Sequence, residues 1–370
     1  MSLLTAVVIG ATLFLAYSNG ANDNFKGVAT LLGSRVVNYR TALAWATVTT
    51  FLGSLSAAFL ASELITVFTG SGLVPDQLIA APEFMAAVVL GAGLTVFTAT
   101  LLGLPISTTH SLLGALLGSA LAGHSGGINL ATLNGNFLYP LLASPLIAMA
   151  LVGFLHPLVL QLARLRPRAG RGIMPHLSGA MAAVGTSLPR APAGSDVQPS
   201  PAGSRGGDPS PPSGGTRRFA AHDVLHLMSA GAVSFARGLN DTPKIVAILL
   251  GAQALNLQPS VLLVALLMAA GGILQARKIA RTMSFRITAL NRTEGAFVNL
   301  VTSTLVIFAS RWGVPVSTTH VSCGSLFGLG LVKGSLNWGV LGGIFSAWVS
   351  TVPIGLALSY GAYTVLVVLR

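Results

Sequence analysis

A six-residue polar phrase occurs twice in the chain, and each copy interrupts a long apolar run. The copies are residues 105–110, PISTTH, and residues 315–320, PVSTTH. A second phrase is also duplicated, as residues 20–26, GANDNFK, and residues 238–244, GLNDTPK. Two phrases repeated in the same order predict a chain built from two equivalent halves, each with interrupted hydrophobic segments.

The composition restricts the surroundings in which such a chain can fold. Of its residues 52% are hydrophobic and 8% are charged, whereas soluble domains carry about 25% charged residues. Several apolar stretches approach 20 residues, which is enough to cross a bilayer as a helix. We therefore predict an all-α polytopic membrane protein of the cell membrane, with the lipid bilayer as its solvent.

The net charge of +12 is concentrated in a few loops. This distribution is typical of membrane orientation and does not indicate nucleic-acid binding. The single cysteine, Cys323, excludes an internal disulfide and a cysteine-based metal cluster. We expect no organic cofactor, only Na+ or H+ as a coupling ion.

Three regions are predicted along the chain. Residues 1–163 form a first transmembrane repeat and residues 219–370 a second. Residues 164–218 are rich in Pro, Gly and Ser and carry eight arginines. Their composition predicts a disordered linker.

Each repeat is predicted to contain a helix broken at the Asn/Asp phrase, a full span, a re-entrant hairpin with the Ser/Thr phrase at its tip, and a closing span. In the first half these are residues 3–17 with 24–33, 41–62, 83–102 with 105–122, and 137–163. In the second half they are residues 222–236 with 243–257, 260–276, 295–312 with 315–332, and 338–368.

The loop charges predict that the two halves are inverted relative to each other. Residues 63–82 contain acidic but no basic residues, whereas the counterpart loop 277–292 contains five basic residues. The loop with Arg35 and Arg40 in the first half corresponds in position to residues 252–260 in the second half, which are uncharged. By the positive-inside rule both termini lie outside and the linker lies in the cytoplasm.

The duplicated Asn/Asp phrase places a carboxylate in an interrupted helix of each half. Asp23 and Asp241 occupy matching positions, and an acid within the membrane is a functional candidate by default. Asn22 and Asn240 add side-chain carbonyl oxygens. Oxygen ligands of this kind suit Na+, or the aspartates carry protons. The alternative is that each aspartate caps a helix N-terminus.

The duplicated Ser/Thr phrase places hydroxyl groups beside a helix start. Unpaired backbone N–H groups at such a start favour a negative charge. Two tips meeting from opposite sides would form a donor-rich cage for a tetrahedral oxyanion, while ordinary N-capping is the alternative. His110 and His320 would hydrogen-bond the tip, shuttle protons or orient the tip. The hydroxyl groups belong to Ser107, Thr108, Thr109, Ser317, Thr318 and Thr319.

The paired GANDN/GLNDT and PxSTTH phrases, the inverted halves and the central hydrophilic loop resemble the PiT family of inorganic phosphate transporters. The resemblance covers both halves and implies secondary active transport of phosphate by alternating access, coupled to Na+ or H+. Some members carry sulfate. By position it implies that Asn22, Asp23, Asn240 and Asp241 bind coupling ions and that the two tips bind phosphate. A homodimer is a further expectation.

One departure from the family pattern occurs in both halves. The pattern usually continues Gly-Ala-Asn-Asp-x-x-Asn, but the last position is Lys26 in the first copy and Lys244 in the second. We hypothesise that each ammonium takes the place of a bound sodium ion, which would make transport sodium-independent. The alternative is that both lysines extend to a membrane interface.

Three other functions are considered. A sulfate or related oxyanion permease would use the same donors. An intramembrane hydrolase would use Ser107 and His110, which lie three apart on one helix, but an enzyme rarely needs its nucleophile duplicated symmetrically, so we do not expect an enzyme. A sensor that does not transport is the third alternative.

Overall fold

The computed structural model describes residues 3–123, 127–165 and 220–369. Within these ranges every named element is helical, and seven helical segments are long and apolar enough to cross a membrane. The prediction of an all-α polytopic membrane protein is confirmed. The seven segments are Leu3–Gly33, Tyr39–Leu60, Pro82–Leu102, Leu130–Leu158, Leu257–Gln275, Arg292–Arg311 and Trp338–Val368.

The described part of the first half contains nine α-helices and two other helical turns. They are α1 (Leu3–Asp23), a 3-10 turn (Lys26–Val28), α2 (Ala29–Gly33), α3 (Tyr39–Leu60), α4 (Ser62–Phe68), α5 (Asp76–Ile79), α6 (Pro82–Leu102), α7 (Thr108–Ala122), α8 (Leu130–Thr132), a π-helical turn (Leu133–Leu138) and α9 (Tyr139–Leu165).

The second half, as far as the structure describes it, contains six helices. They are α10 (Ala221–Gly251), α11 (Leu257–Gln275), α12 (Arg277–Phe285), α13 (Arg292–Arg311), α14 (Thr318–Lys333) and α15 (Trp338–Val368). The bounds predicted for the closing span coincide with α15. The residues predicted as the basic loop 277–292 mostly form α12.

The predicted linker, from residue 166 onward, lies outside the described residues. The division of the chain into two repeats at residues 164–218 therefore stays a prediction.

The Asn/Asp phrases differ in the two halves. The first helix breaks as predicted, because α1 ends at Asp23 and a 3-10 turn follows. The break predicted in the second half is wrong, since α10 continues through Asp241 with Pro243 inside it. A proline removes one helical hydrogen bond, which a helix packed on several neighbours can absorb. Neither aspartate caps a helix N-terminus, so that alternative is also wrong.

The two halves pack on each other in a reciprocal way. Helix α1 packs on α11 of the other half, and α10 packs on α3. Similarly, α7 packs on α15 and α14 packs on α9. An exchange of equivalent partners is what a two-fold relation between the halves produces. The predicted inversion across the bilayer stays a prediction.

Glycines in the repeated phrases permit the first pair of these contacts. A Cβ atom at Gly20 would overlap the backbone carbonyl of Met268 on α11, and one at Gly238 would overlap the backbone carbonyl of Thr50 on α3. Only a residue without a side chain allows the two backbones to approach this closely. The close approach fixes the Asn/Asp residues that follow each glycine against the centre of the molecule.

Glycines four residues apart permit the second pair of contacts. Gly114 and Gly118 of α7 face the backbone of α15, and Gly324 and Gly328 of α14 face the backbone of α9. This spacing places both glycines of a pair on one helix face. Each hairpin is therefore anchored, through its second arm, on the closing helix of the opposite half.

Candidate functional site

The two hairpin tips are in direct contact. Thr319 Oγ1 donates a hydrogen bond to the carbonyl oxygen of Ile106 at 2.8 Å, and Thr109 Oγ1 donates to the carbonyl oxygen of Val316 at 3.4 Å. Each bond joins the tip of one half to the tip of the other. The expected meeting of the tips is confirmed, while the side from which each tip enters stays a prediction.

The serines of both tips are helix N-caps. Ser107 Oγ accepts a hydrogen bond from the backbone N–H of His110, and Ser317 Oγ accepts one from the backbone N–H of His320, each at 3.2 Å. Each serine has the extended backbone that the cap position requires. The N-capping alternative therefore holds for the two serines, and the threonines supply the contacts between the tips.

Lys26 lies at the centre of this contact and is 4% exposed. Its Nζ donates to Asp23 Oδ1 at 2.5 Å and to Asn22 Oδ1 at 2.9 Å, both within its own phrase. It also donates to the carbonyl oxygen of Ile106 at 2.8 Å and to Thr319 Oγ1 at 2.6 Å. One ammonium thus connects the Asn/Asp phrase of the first half to both tips.

Lys244 makes the equivalent contacts from the second half and is 1% exposed. Its Nζ donates to the carbonyl oxygen of Val316 and to Thr109 Oγ1, both at 2.8 Å. Its ion pair with Asp241 is longer, at 3.5 Å. The ammonium also lies 5.7 Å from the ring centroid of Phe68.

The burial of both lysines overturns one interpretation made from the sequence. A lysine that extends to an interface keeps its ammonium in a polar surface layer. Here both ammonium groups are enclosed by oxygen atoms from the two halves of the protein. The interpretation of Lys26 and Lys244 as interfacial residues is therefore wrong.

Asn22 and Asn240 connect the two Asn/Asp phrases to the hairpins by hydrogen bonds. Asn22 Nδ2 donates to Thr100 Oγ1 at 2.9 Å and to the carbonyl oxygen of Leu104 at 3.1 Å. In the second half Asn240 Nδ2 donates to the carbonyl oxygen of Val316 at 3.2 Å, and Asn240 Oδ1 accepts from Ser310 at 3.2 Å. Their side chains hold the tips in position.

Two of the central residues that the sequence did not indicate are Asn19 and Arg237. Aligning Gly20 with Gly238 makes them equivalent, and Arg237 Nη1 donates to Asn19 Oδ1 at 3.2 Å. Asn19 Nδ2 lies 2.9 Å from Thr108 Oγ1 and 3.3 Å from Asp241 Oδ2. An arginine in an otherwise apolar helix was a signal that could have identified Arg237.

The two histidines form an aromatic cluster with Trp348 beside the tips. The rings of His110 and His320 have centroids 4.3 Å apart, and His320 lies 3.7 Å from the ring of Trp348. Trp348 Nε1 donates to the carbonyl oxygen of Pro105 at 3.2 Å. His110 Nδ1 lies 3.0 Å from Ser107 Oγ. These contacts suit an orienting role, whereas a proton-shuttling role stays a prediction.

The chemical character of the site follows from these contacts. Hydroxyl groups, amides and three fixed cations converge where the two tips meet, and Thr318 is buried beside them at 5% exposure. Fixed donors and positive charge in a buried region favour an oxyanion. Within the described residues no group of three or more His, Cys, Asp or Glu side chains could hold a metal ion.

Comparisons with known proteins agree with this character. A relative from Rhizobium meliloti, described as "Probable low-affinity inorganic phosphate transporter", is 26% identical over 378 residues, covering 96% of this chain and 94% of the relative. A relative from Mycobacterium bovis with the same description is 27% identical over 375 residues, covering 98% of this chain and 76% of the relative.

A solved structure, described as "The sodium-dependent phosphate transporter", has the same fold. It matches with a TM-score of 0.74 and 20% sequence identity, covering all of both chains. The model of the phosphate transporter family matches residues 19–359, which include both pairs of repeated phrases. The chain therefore belongs to the phosphate transporter family.

Proposed function

We propose that this protein carries inorganic phosphate across the membrane by alternating access, and that Lys26 and Lys244 stand where coupling sodium ions would bind. Phosphate would bind to the threonine-bearing tips, which are already in contact with both ammonium groups. Transport would then proceed without sodium. The resemblance implied a cation-coupled mechanism, and the two lysines suggested this sodium-independent alternative.

The surroundings of Lys26 carry this proposal. Its Nζ has four oxygen partners, from a carboxylate, an amide, a backbone carbonyl and a threonine hydroxyl. Carbonyl and carboxylate oxygens beside a helix break are the ligands that transporters use for Na+. Because an ammonium already occupies this set of oxygens, a sodium ion would have to displace a covalently attached cation.

The contact between the tips supports alternating access. The halves are joined at the centre by threonine-to-carbonyl bonds and by two lysines that each touch both tips. Separation of the tips on one side at a time would open the site to one compartment and then to the other. The orientation that accompanies this proposal has both termini outside and the central linker in the cytoplasm.

The contact between Ser107 and His110 does not indicate hydrolysis. The hydroxyl oxygen of Ser107 caps α7, and the members of the family are transporters. The protein is therefore not assigned as an enzyme.

Uptake of radiolabelled phosphate into proteoliposomes that are preloaded with unlabelled phosphate tests the proposal. We expect the wild-type rate to be unchanged when choline replaces Na+ at constant ionic strength. The matched variant carries Lys26→Asn and Lys244→Asn, which restores the usual family residue in both halves. In that variant Na+ should stimulate uptake at least about fivefold, the lower range of coupling between two ligands.

Two outcomes would contradict the proposal. Strict dependence of wild-type uptake on Na+ would show that the lysines do not replace the ion. Stronger inhibition of uptake by sulfate than by unlabelled phosphate would identify sulfate, or a related oxyanion, as the preferred substrate.

A further inference from the structure

Arg237 is the largest side chain buried at the centre of the protein, with 1% of its surface exposed. It lies in α10, one residue before Gly238. Its Nη1 donates to Asn19, but Nε and Nη2 have no hydrogen-bond partner among the described residues. Buried polar groups normally have partners, so two unused donors on a guanidinium indicate a missing acceptor.

The guanidinium of Arg237 cannot avoid the cost of a buried charge with unpaired donors by losing its proton. Arginine stays charged under all conditions that proteins meet, and its planar donors match the oxygens of phosphate. Asn19 lies between Arg237 and Asp241, because its amide contacts both. Arg237 is thus linked to Asp241 through a neutral side chain, without a direct ion pair to it.

Among the residues that the structure describes, the charges around the tips do not cancel. Lys26 is paired with Asp23, and Lys244 is paired with Asp241. Arg237 is left as one additional buried cation. The rings of His110 and His320 meet edge to face and add no charge when neutral. Their contact disfavours protonation of both rings, because two adjacent imidazolium ions would repel each other.

The other buried acids are too distant to balance this charge. Glu83 and Glu294 begin α6 and α13, at the ends of these helices opposite the tips. Helices of this length extend about 30 Å. Glu294 is also paired with Lys333, and Asp223 is paired with Arg292.

We propose that the protein exchanges one monovalent oxyanion for another across the membrane and does not return empty, because Arg237 gives its site one positive charge that only the substrate balances. This inference rests on the proposed transport of phosphate. The monovalent form of phosphate would occupy the unused donors of Arg237 beside the two threonine-bearing tips.

The empty protein is expected to return slowly because of the step between the two open states. Alternating access requires a state in which the site is closed to both sides and has lost water. A sodium-coupled carrier can release its ions and return empty, but the three cations of this site are covalently attached. An unbalanced charge in a dry interior is strongly disfavoured, so the empty protein would cross this state much more slowly than the loaded one.

Efflux from proteoliposomes tests the proposal directly. Vesicles are loaded with radiolabelled phosphate and diluted into buffer either with or without unlabelled phosphate. External phosphate should accelerate efflux from wild-type vesicles at least about tenfold, because the loaded return avoids the unbalanced charge. Equal efflux in both buffers would overturn the exchange mechanism.

Variants at Arg237 identify the source of the effect. Arg237→Gln makes the empty site neutral, so external phosphate should no longer accelerate efflux. Efflux itself should slow, because the loaded site of this variant carries one unbalanced negative charge. Arg237→Lys retains the charge and is the matched control, in which acceleration by external phosphate should persist. If Arg237→Gln still requires external phosphate, the charge of Arg237 is not the cause.

The two proposals can fail separately. Wild-type vesicles that show net uptake without internal anion would retain the transport function and lose the exchange mechanism. Wild-type vesicles that move no phosphate under either condition would overturn both. If Arg237→Gln does not fold, the comparison of wild-type efflux in the two buffers still decides the mechanism.

Discussion

Lys26 and Lys244 occupy equivalent places in the two halves, but their surroundings differ. Lys26 has four oxygen partners and a 2.5 Å bond to Asp23. Lys244 has three oxygen partners, a 3.5 Å contact with Asp241 and an aromatic ring nearby. The repeated sequence has preserved the charges of the two sites, while the distances between those charges have diverged.

The helices that carry the lysines account for part of this difference. Lys26 follows the end of α1 and belongs to a 3-10 turn, so its backbone has left the path of the helix. Lys244 lies within the continuous helix α10. A side chain on a continuous helix is restricted to the direction that the helix sets. The first half can therefore bring its ammonium closer to the carboxylate than the second half can.

The largest expected difference between the halves concerns the ion pairs. Lys26→Met should destabilise the protein by about 3–5 kcal/mol, the usual effect of leaving a buried charge without its partner. Lys244→Met should have a smaller effect, since its ion pair is longer. Thermal unfolding of the detergent-purified variants measures both, and adding Asp23→Asn to Lys26→Met should recover part of the loss. Equal destabilisation by the two lysine variants would show that the difference in distance has no energetic meaning.

An intermediate effect is expected where the hairpins are anchored. Gly114→Ala and Gly324→Ala each place a Cβ against a backbone carbonyl of the opposite half. Overpacking of this kind should cost about 1–3 kcal/mol, and the two halves should respond equally because the contacts are alike. Gly10→Ala is the control, since nothing lies within 4 Å of its added Cβ. Destabilisation by Gly10→Ala as large as that by the other two would exclude helix packing as the cause.

The smallest effect is expected at the N-caps of the tips. Ser107→Ala and Ser317→Ala should each lower stability by about 1 kcal/mol, the usual effect of losing a cap. The first should be the larger, because Ser107 also contacts the ring of His110. Ser107→Thr and Ser317→Thr keep the hydroxyl group and should restore most of the stability. A larger loss at Ser317 than at Ser107 would contradict this ranking of the tips.

Much of the fold could be predicted because it depends on local patterns. The closing helix at residues 338–368 and the hairpin arms follow from apolar stretches bounded by polar or turn residues. The break expected between residues 236 and 243 did not occur, because tertiary packing kept the helix continuous through Asp241 and Pro243. The glycine pairs in α7 and α14 have the four-residue spacing of a helix-packing motif. This spacing does not specify which helix they contact.

Most residues of the candidate site were predicted from the sequence, whereas of their contacts only the meeting of the two tips was predicted. The threonines, asparagines, aspartates and lysines of the repeated phrases all lie at the centre. Asn19, Arg237 and Trp348 were missed, because each is outside the repeated phrases as they were defined. The participation of Asn19 and Arg237 depends on the contact between α1 and α10, and that of Trp348 depends on the packing of α15 beside the first tip.

The sequence by itself determined that this chain belongs in a membrane and that its chemistry is duplicated, since low charge, apolar length and repeated phrases are properties of the linear chain. Only the tertiary structure decided that Lys26 reaches Thr319, 293 positions away, and that Arg237 is left with unused donors. Contacts between distant segments depend on how closely helices approach. That approach is governed by the shapes of all the surfaces that pack together, which no local pattern contains.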